Sequence, residues 1–181
     1  MNINQIKRRL DIAINTLRVN DNYLLKYDVC ERSIAHRLAI YLENTFGHSY
    51  DVDCEYNKNI EHNSGLKKIE MIHSKWRELF PNNGISRQQY EEDIMIEKIV
   101  HPDIVIHRRG RNDHNLLVVE IKKSSSCISE EFDDIKLKSY TNPNYDEGLQ
   151  YKYGVFIKFF VNQDRFVQPE IYLYQNGERI Q

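Results

Sequence analysis

Cysteine is scarce in this chain and badly placed for bonding. Cys30, Cys54 and Cys127 are odd in number, widely separated and never in a C-x-x-C pair, which argues against a disulfide frame or zinc knuckle and for reduced packing residues. Proline and glycine are also few, four and seven, so a fibrous or disordered composition is excluded. No apolar run approaches the roughly eighteen residues a membrane helix needs. The opening MNINQIKRRLD has no apolar signal core either, so a cytoplasmic protein without a membrane partner is expected. Charge of one sign is lacking as well. A net charge of −2 does not fit a domain that coats nucleic acid through bulk electrostatics, and any such contact has to be local.

What remains is an ordinary globular composition over 181 residues, 40% hydrophobic and 29% charged. That length fits one domain, 1–181, able to bury its own core. Basic residues gather at Lys67, Lys68, Arg108, Arg109, Arg111, Lys122, Lys123, Lys136 and Lys138, and acids at 91–93 and 130–134. Each run taken singly reads as a solvated face.

Ile6, Leu10, Ala13, Ile14 and Leu17 recur at helical spacing, which predicts an N-terminal helix within 1–20, interrupted by the polar stretch 19–22. A second helix follows and stops near Phe46 at Gly47. On it Glu31 shares a stripe with Ile34, Ala35, Leu38 and Leu42, so an acid is expected to point inward. Residues 50–56 alternate as a half-buried strand with Asp53 and Glu55 on one face, candidates for further metal ligands. Residues 57–100 read as an insertion containing a polar loop and a short helix at 86–93. Two β-branched runs, 104–107 and 116–122, flank Arg108-Arg109-Gly110-Arg111-Asn112-Asp113-His114-Asn115 and predict a hairpin. A helix over 129–140 and strands over 151–161 and 170–174 complete the pattern.

The hairpin is where chemistry gathers. A turn centred between Arg111 and Asn112 pairs residues whose numbers sum to 223, so Val105 faces Val118 and Asp103 faces Glu120. Opposed side chains have Cβ atoms about 4.5–5.5 Å apart, and two like charges at that distance destabilise a sheet unless a cation lies between them. Alternation puts Lys122 on the face of Glu120, with Leu117, Val119 and Ile121 on the other. Two carboxylates suit magnesium, which binds through one or two acids plus substrate phosphate. Such an ion activates water and neutralises charge growing on phosphorus, with Lys122 assisting. The chemistry this predicts is phosphodiester hydrolysis.

His101-Pro102-Asp103, followed after a gap by Glu120-Ile121-Lys122, resembles the PD-(D/E)XK signature of restriction-endonuclease-like nucleases. The resemblance implies an α/β (α+β) fold, a central mixed sheet flanked by helices in α-β-β-β-α-β order. It also implies that Asp103 and Glu120 hold metal, that the Ile121 carbonyl completes the shell and that Lys122 is the motif lysine. Glu31 matches the acid that many members carry on the first core helix, as a catalytic and metal-binding residue. Magnesium is the implied cofactor, with manganese able to substitute. DNA is the implied substrate ahead of RNA, and a homodimer would allow both strands to be cut. Lys136 and Tyr140 are similar to the Gln-x-x-x-Tyr element of the RecB-like branch, with lysine replacing glutamine. His36, Arg109, Arg111, Lys123, Lys136 and Tyr140 are the candidate nucleic-acid contacts. The rival expectation is a non-catalytic nucleic-acid-binding or assembly module of the same fold.

Overall fold

The computed structural model describes residues 1–59, 65–80, 94–145 and 149–181. It opens with two long helices. In α1 (Ile3–Lys26) the Asn2 side chain accepts the Gln5 amide while the Gln5 side chain accepts the Asn2 amide, a reciprocal cap that satisfies two otherwise unpaired donors. The expected interruption at 19–22 is a kink rather than an end. Only Asp21 leaves helical geometry, with φ −131° and ψ 22°. Its carboxylate is held by Arg37 at 2.8 Å and by the Tyr41 hydroxyl, so tertiary contacts carry the helix past a local breaker. Both partners lie on α2 (Glu31–Phe46), which stops at Gly47 with φ 64°, a conformation that glycine adopts without a Cβ penalty.

Six strands form the main sheet: β1 (Asp51–Cys54), β4 (Ile104–His107), β5 (Leu117–Lys123), β6 (Tyr153–Phe159), β7 (Glu170–Gln175) and β8 (Glu178–Arg179), paired in that order. Among the described strands only β5 and β6 run parallel, and the crossover between them carries α4 (Glu131–Thr141), as a parallel connection requires. The sheet is therefore mixed, with helices against it. Ile104↔Val119, Val105↔Val118 and Ile106↔Leu117 are the β4–β5 partners, the register that the sum of 223 requires.

Alternation divides the core cleanly. Ile104, Ile106, Leu117, Val119 and Ile121 pack with Leu10, Leu17, Ile34, Leu38 and Leu42 from α1 and α2. Val105, Val118 and Phe156 pack with Leu137 and Tyr140 of α4 on the opposite face. Removing each such side chain from water contributes about 1.5–3 kcal/mol, and the pattern fixes which face Glu120 and Lys122 occupy. Close approach of α4 depends on Gly154 of β6. A Cβ there would stand 3.1 Å from Leu137 Cδ2, 3.1 Å from Thr141 Cγ2 and 3.2 Å from Tyr174 Cβ.

Within the stretch 57–100 the chain forms a separate two-stranded sheet, β2 (Lys68–Ile72) with β3 (Met95–Ile99), and a short helix α3 (His73–Leu79). The helix expected at 86–93 lies outside the described residues. Ile69 of β2 joins the core beneath α4. No helix among the described residues is long and apolar enough to cross a membrane.

Candidate functional site

Asp103 immediately precedes β4, and its Oδ2 accepts the Ile121 backbone N–H at 2.7 Å. That bond ties the acid across the strand pair to the residue between Glu120 and Lys122. Glu120 and Lys122 project from β5 toward α4 and are 1% and 6% exposed. Two charged side chains this deep inside a fold require partners. Lys136 Nζ lies 2.6 Å from Glu120 Oε2 and 2.9 Å from Asp133 Oδ1, and Lys122 Nζ lies 2.7 Å from Asp133 Oδ2. The helix therefore contributes one acid and one base to a cluster founded on the hairpin.

Three carboxylates face two ammonium groups, so one negative charge is left over. Burial lifts the Asp103 carboxyl above its ordinary value, against the pull of Lys136 and the Ile121 amide, and the charges of Asp133 and Glu31 add to the rise. Glu120 is raised well above the usual range, first by burial and then by Asp103 and Asp133, although Lys136 opposes this. For Lys136 burial works against the charged form, but Glu120, Asp133 and Asp103 outweigh it and hold the ammonium protonated. Among the described residues Glu120 Oε1 is buried without a hydrogen-bond partner. A buried carboxylate oxygen with no donor calls for a proton or a cation.

Solvent reaches this region beside Asp103, through a cavity of about 200 Å³ lined by Arg32, Ala35, Cys54, Glu55 and Asp103. Arg32 and Glu55 in its lining are ion-paired at 2.7 Å. Partial enclosure, followed by the charge of Asp103, pushes the Cys54 thiol up to about 11, which keeps it neutral.

Glu31 points inward as its helical stripe requires, and its Oε1 accepts the Lys123 backbone N–H at 2.9 Å. It therefore sits at the end of β5, near enough for its charge to act on Asp103. Among the described residues no three His, Cys, Asp or Glu side chains converge into a metal cage. The acids present suit an ion that takes one or two carboxylates and completes its shell with water and phosphate. The orphaned Glu120 oxygen is the observation that fits such an ion.

Several expected contacts change role. Lys136 and Tyr140 are buried, at 8% and 0% exposure, so neither is a surface contact for nucleic acid. Lys136 serves the acid cluster, and the Tyr140 hydroxyl is buried with no hydrogen-bond partner among the described residues. Arg109 grips Asp53 through two guanidinium nitrogens, one at 2.7 Å, and Arg111 grips Asp113 at 2.9 and 2.6 Å. Lys123 Nζ pairs with Asp28 at 2.7 Å. Of the six, His36 alone is exposed and forms no ion pair among the described residues. Asp53, taken up by Arg109 and by His107 at 3.0 Å, and Glu55, at a left-handed φ of 51° past the end of β1, do not extend the acid cluster. Asp133 is the residue that sequence reasoning missed. Its signal was present, because it lies four before Leu137 and seven before Tyr140, on the buried stripe of α4. When the chain is compared with protein-family models, curated proteins and solved structures, nothing matches it.

Proposed function

We propose that the protein is a metal-dependent nuclease of the PD-(D/E)XK type, hydrolysing phosphodiester bonds of DNA, with a restriction-endonuclease-like core. The observation that carries this reading is the pair Glu120 and Lys122 on the α4 face of β5, with Asp103 tied across the strand pair to the Ile121 amide, one negative charge uncompensated and Glu120 Oε1 unpartnered among the described residues. The element order supports it too: a helix bearing Glu31, a strand, the antiparallel pair, a crossing helix and a parallel strand.

Asp103 and Glu120 would hold the magnesium or manganese ion, with the Ile121 carbonyl and Glu31 as supporting donors. The ion supplies an activated water and relief of charge at phosphorus. Lys122, held by Asp133 on the face of β5 that bears Glu120, would steady the transition state with its positive charge. Asp133 acts as its positioning residue. Arg32, in the lining of the cavity beside Asp103, is placed to meet a backbone phosphate if it releases Glu55.

A second reading has its own observation. Lys136 and Lys122 already offset most of the acid charge, an arrangement that also suits a non-catalytic nucleic-acid-binding or assembly module. Melting temperature against magnesium or manganese concentration, run beside a plasmid-nicking assay, separates the two. A nuclease gains stability with metal and cuts, and both effects vanish in Asp103→Asn and Glu120→Gln. Wild-type protein that ignores both ions and leaves linear, circular, single-stranded and branched DNA intact supports the binding module.

A further inference from the structure

We infer that Lys136 is an internal counter-ion that makes metal binding and DNA binding at this site depend on each other; the inference rests on the nuclease reading above. Lys136 is the only lysine of the described cluster that touches two of its acids, at 2.6 Å from Glu120 and 2.9 Å from Asp133. Among the described residues Lys122 is ion-paired with Asp133 alone. With both lysines in place the cluster carries one net negative charge. A divalent ion entering by itself would turn that into a buried positive charge, which is costly in a low-dielectric site. A phosphodiester brings the missing negative charge, so metal and phosphate together leave the site neutral. Each should therefore tighten the other, and by the same factor, because coupling is reciprocal.

The ammonium also has somewhere to go. Its Nζ stands 5.2 Å from the centre of the Phe132 ring, and Asp133 is a second anchor. Lys136 can yield Glu120 to the metal and remain held by Asp133 and the ring face. Without Lys136 the cluster carries two net negative charges, which a divalent ion neutralises with no phosphate present. Lys136 is thus a positioning residue that keeps the site from filling with metal before DNA arrives.

The test is calcium titration calorimetry, calcium being a hard-oxygen ion, with and without a short DNA duplex, on wild type, Lys136→Met and Lys136→Arg. In wild type the duplex should raise calcium affinity by about tenfold or more, within the usual range of such couplings. In Lys136→Met calcium alone should bind about tenfold tighter than in wild type and the duplex should add little, while Lys136→Arg should keep the wild-type coupling. Calcium binding by wild type that is indifferent to the duplex overturns the inference whether or not the methionine variant folds. Equal affinity and coupling in wild type and Lys136→Met also overturns it, reducing the lysine to a structural role while the nuclease reading stands. No binding of calcium or manganese by any of the proteins overturns the nuclease reading itself.

Discussion

Glu31, in the first turn of α2, and Lys123, at the end of β5, are joined by a hydrogen bond of 2.9 Å from the Lys123 amide to Glu31 Oε1. The acid therefore has a structural task beside any catalytic one, and the two can be separated. Glu31→Gln keeps an acceptor at the same reach and should leave the melting temperature in buffer nearly unchanged. Glu31→Ala leaves the amide without its partner and should lose about 1–3 kcal/mol in urea unfolding. If Glu31 supports the metal, the glutamine variant will also show a weaker manganese-dependent rise in melting temperature. An undiminished rise restricts Glu31 to its structural bond.

The buried acids set a pH dependence of definite sign. Glu120 is raised in the fold by burial and by Asp103 and Asp133, so between its ordinary, unfolded value of 4.5 and its folded one the native state binds more protons than the unfolded state. Stability contributed by Glu120 is then full below that unfolded value and is lost as pH rises through the folded one. Without metal, wild type should lose stability over that window and Glu120→Gln should show a flatter profile. Chemical denaturation at a series of pH values in chelator measures this, and parallel profiles would contradict it.

Lys122 cannot be removed as a purely catalytic group, because it pairs with Asp133 inside the fold. Taking one partner from a buried ion pair destabilises by about 3–5 kcal/mol, and the second contact of Asp133 with Lys136 moves the expectation for Lys122→Ala to about 3 kcal/mol. Metal should still bind, since no ligand is lost, while turnover falls by about 10²-fold or more. Denaturant midpoints and single-turnover rates on the same preparation check both halves. An unchanged rate would remove Lys122 from the chemistry.

Arg109 and Arg111 should behave as structural residues. Arg109 holds a carboxylate on β1 through two nitrogens, so Arg109→Ala should lower stability by about 1 kcal/mol. Arg111 and its partner are both exposed, and Arg111→Ala should stay within about 0.5 kcal/mol of wild type. Neither change should alter the salt dependence of DNA binding. A smaller slope in either variant would show that the arginine leaves its acid for phosphate.

The sheet register and the faces of β5 were legible because side chains alternate with a period of two, so one turn position fixes every rung. Glu31 was legible because its neighbours on the helical stripe are all apolar. Asp133 and the role of Lys136 were not read, since a run of acids and lysines on a helix ordinarily faces water and the counter-ions of Glu120 arrive from a distant element. Asp21 misled in the opposite direction. Its local signal is that of a helix end, and Arg37 and Tyr41 override it from another helix. The β2–β3 pair escaped notice because its two short strands are separated by a long stretch of chain.

Gly154 carries no functional group, yet it sets the altitude of α4. The helix that carries Lys136 rests against a strand whose bare Cα leaves a methyl carbon only 3.1–3.2 Å from its neighbours. Raising that helix by a few tenths of an ångström, the shift such a contact would force, would draw Lys136 and Asp133 away from Glu120 together while every charged residue stayed in the sequence. A methyl group at this glycine would therefore disturb the cluster through the helix that carries Lys136 and Asp133, and an inventory of acids and lysines would not reveal the change.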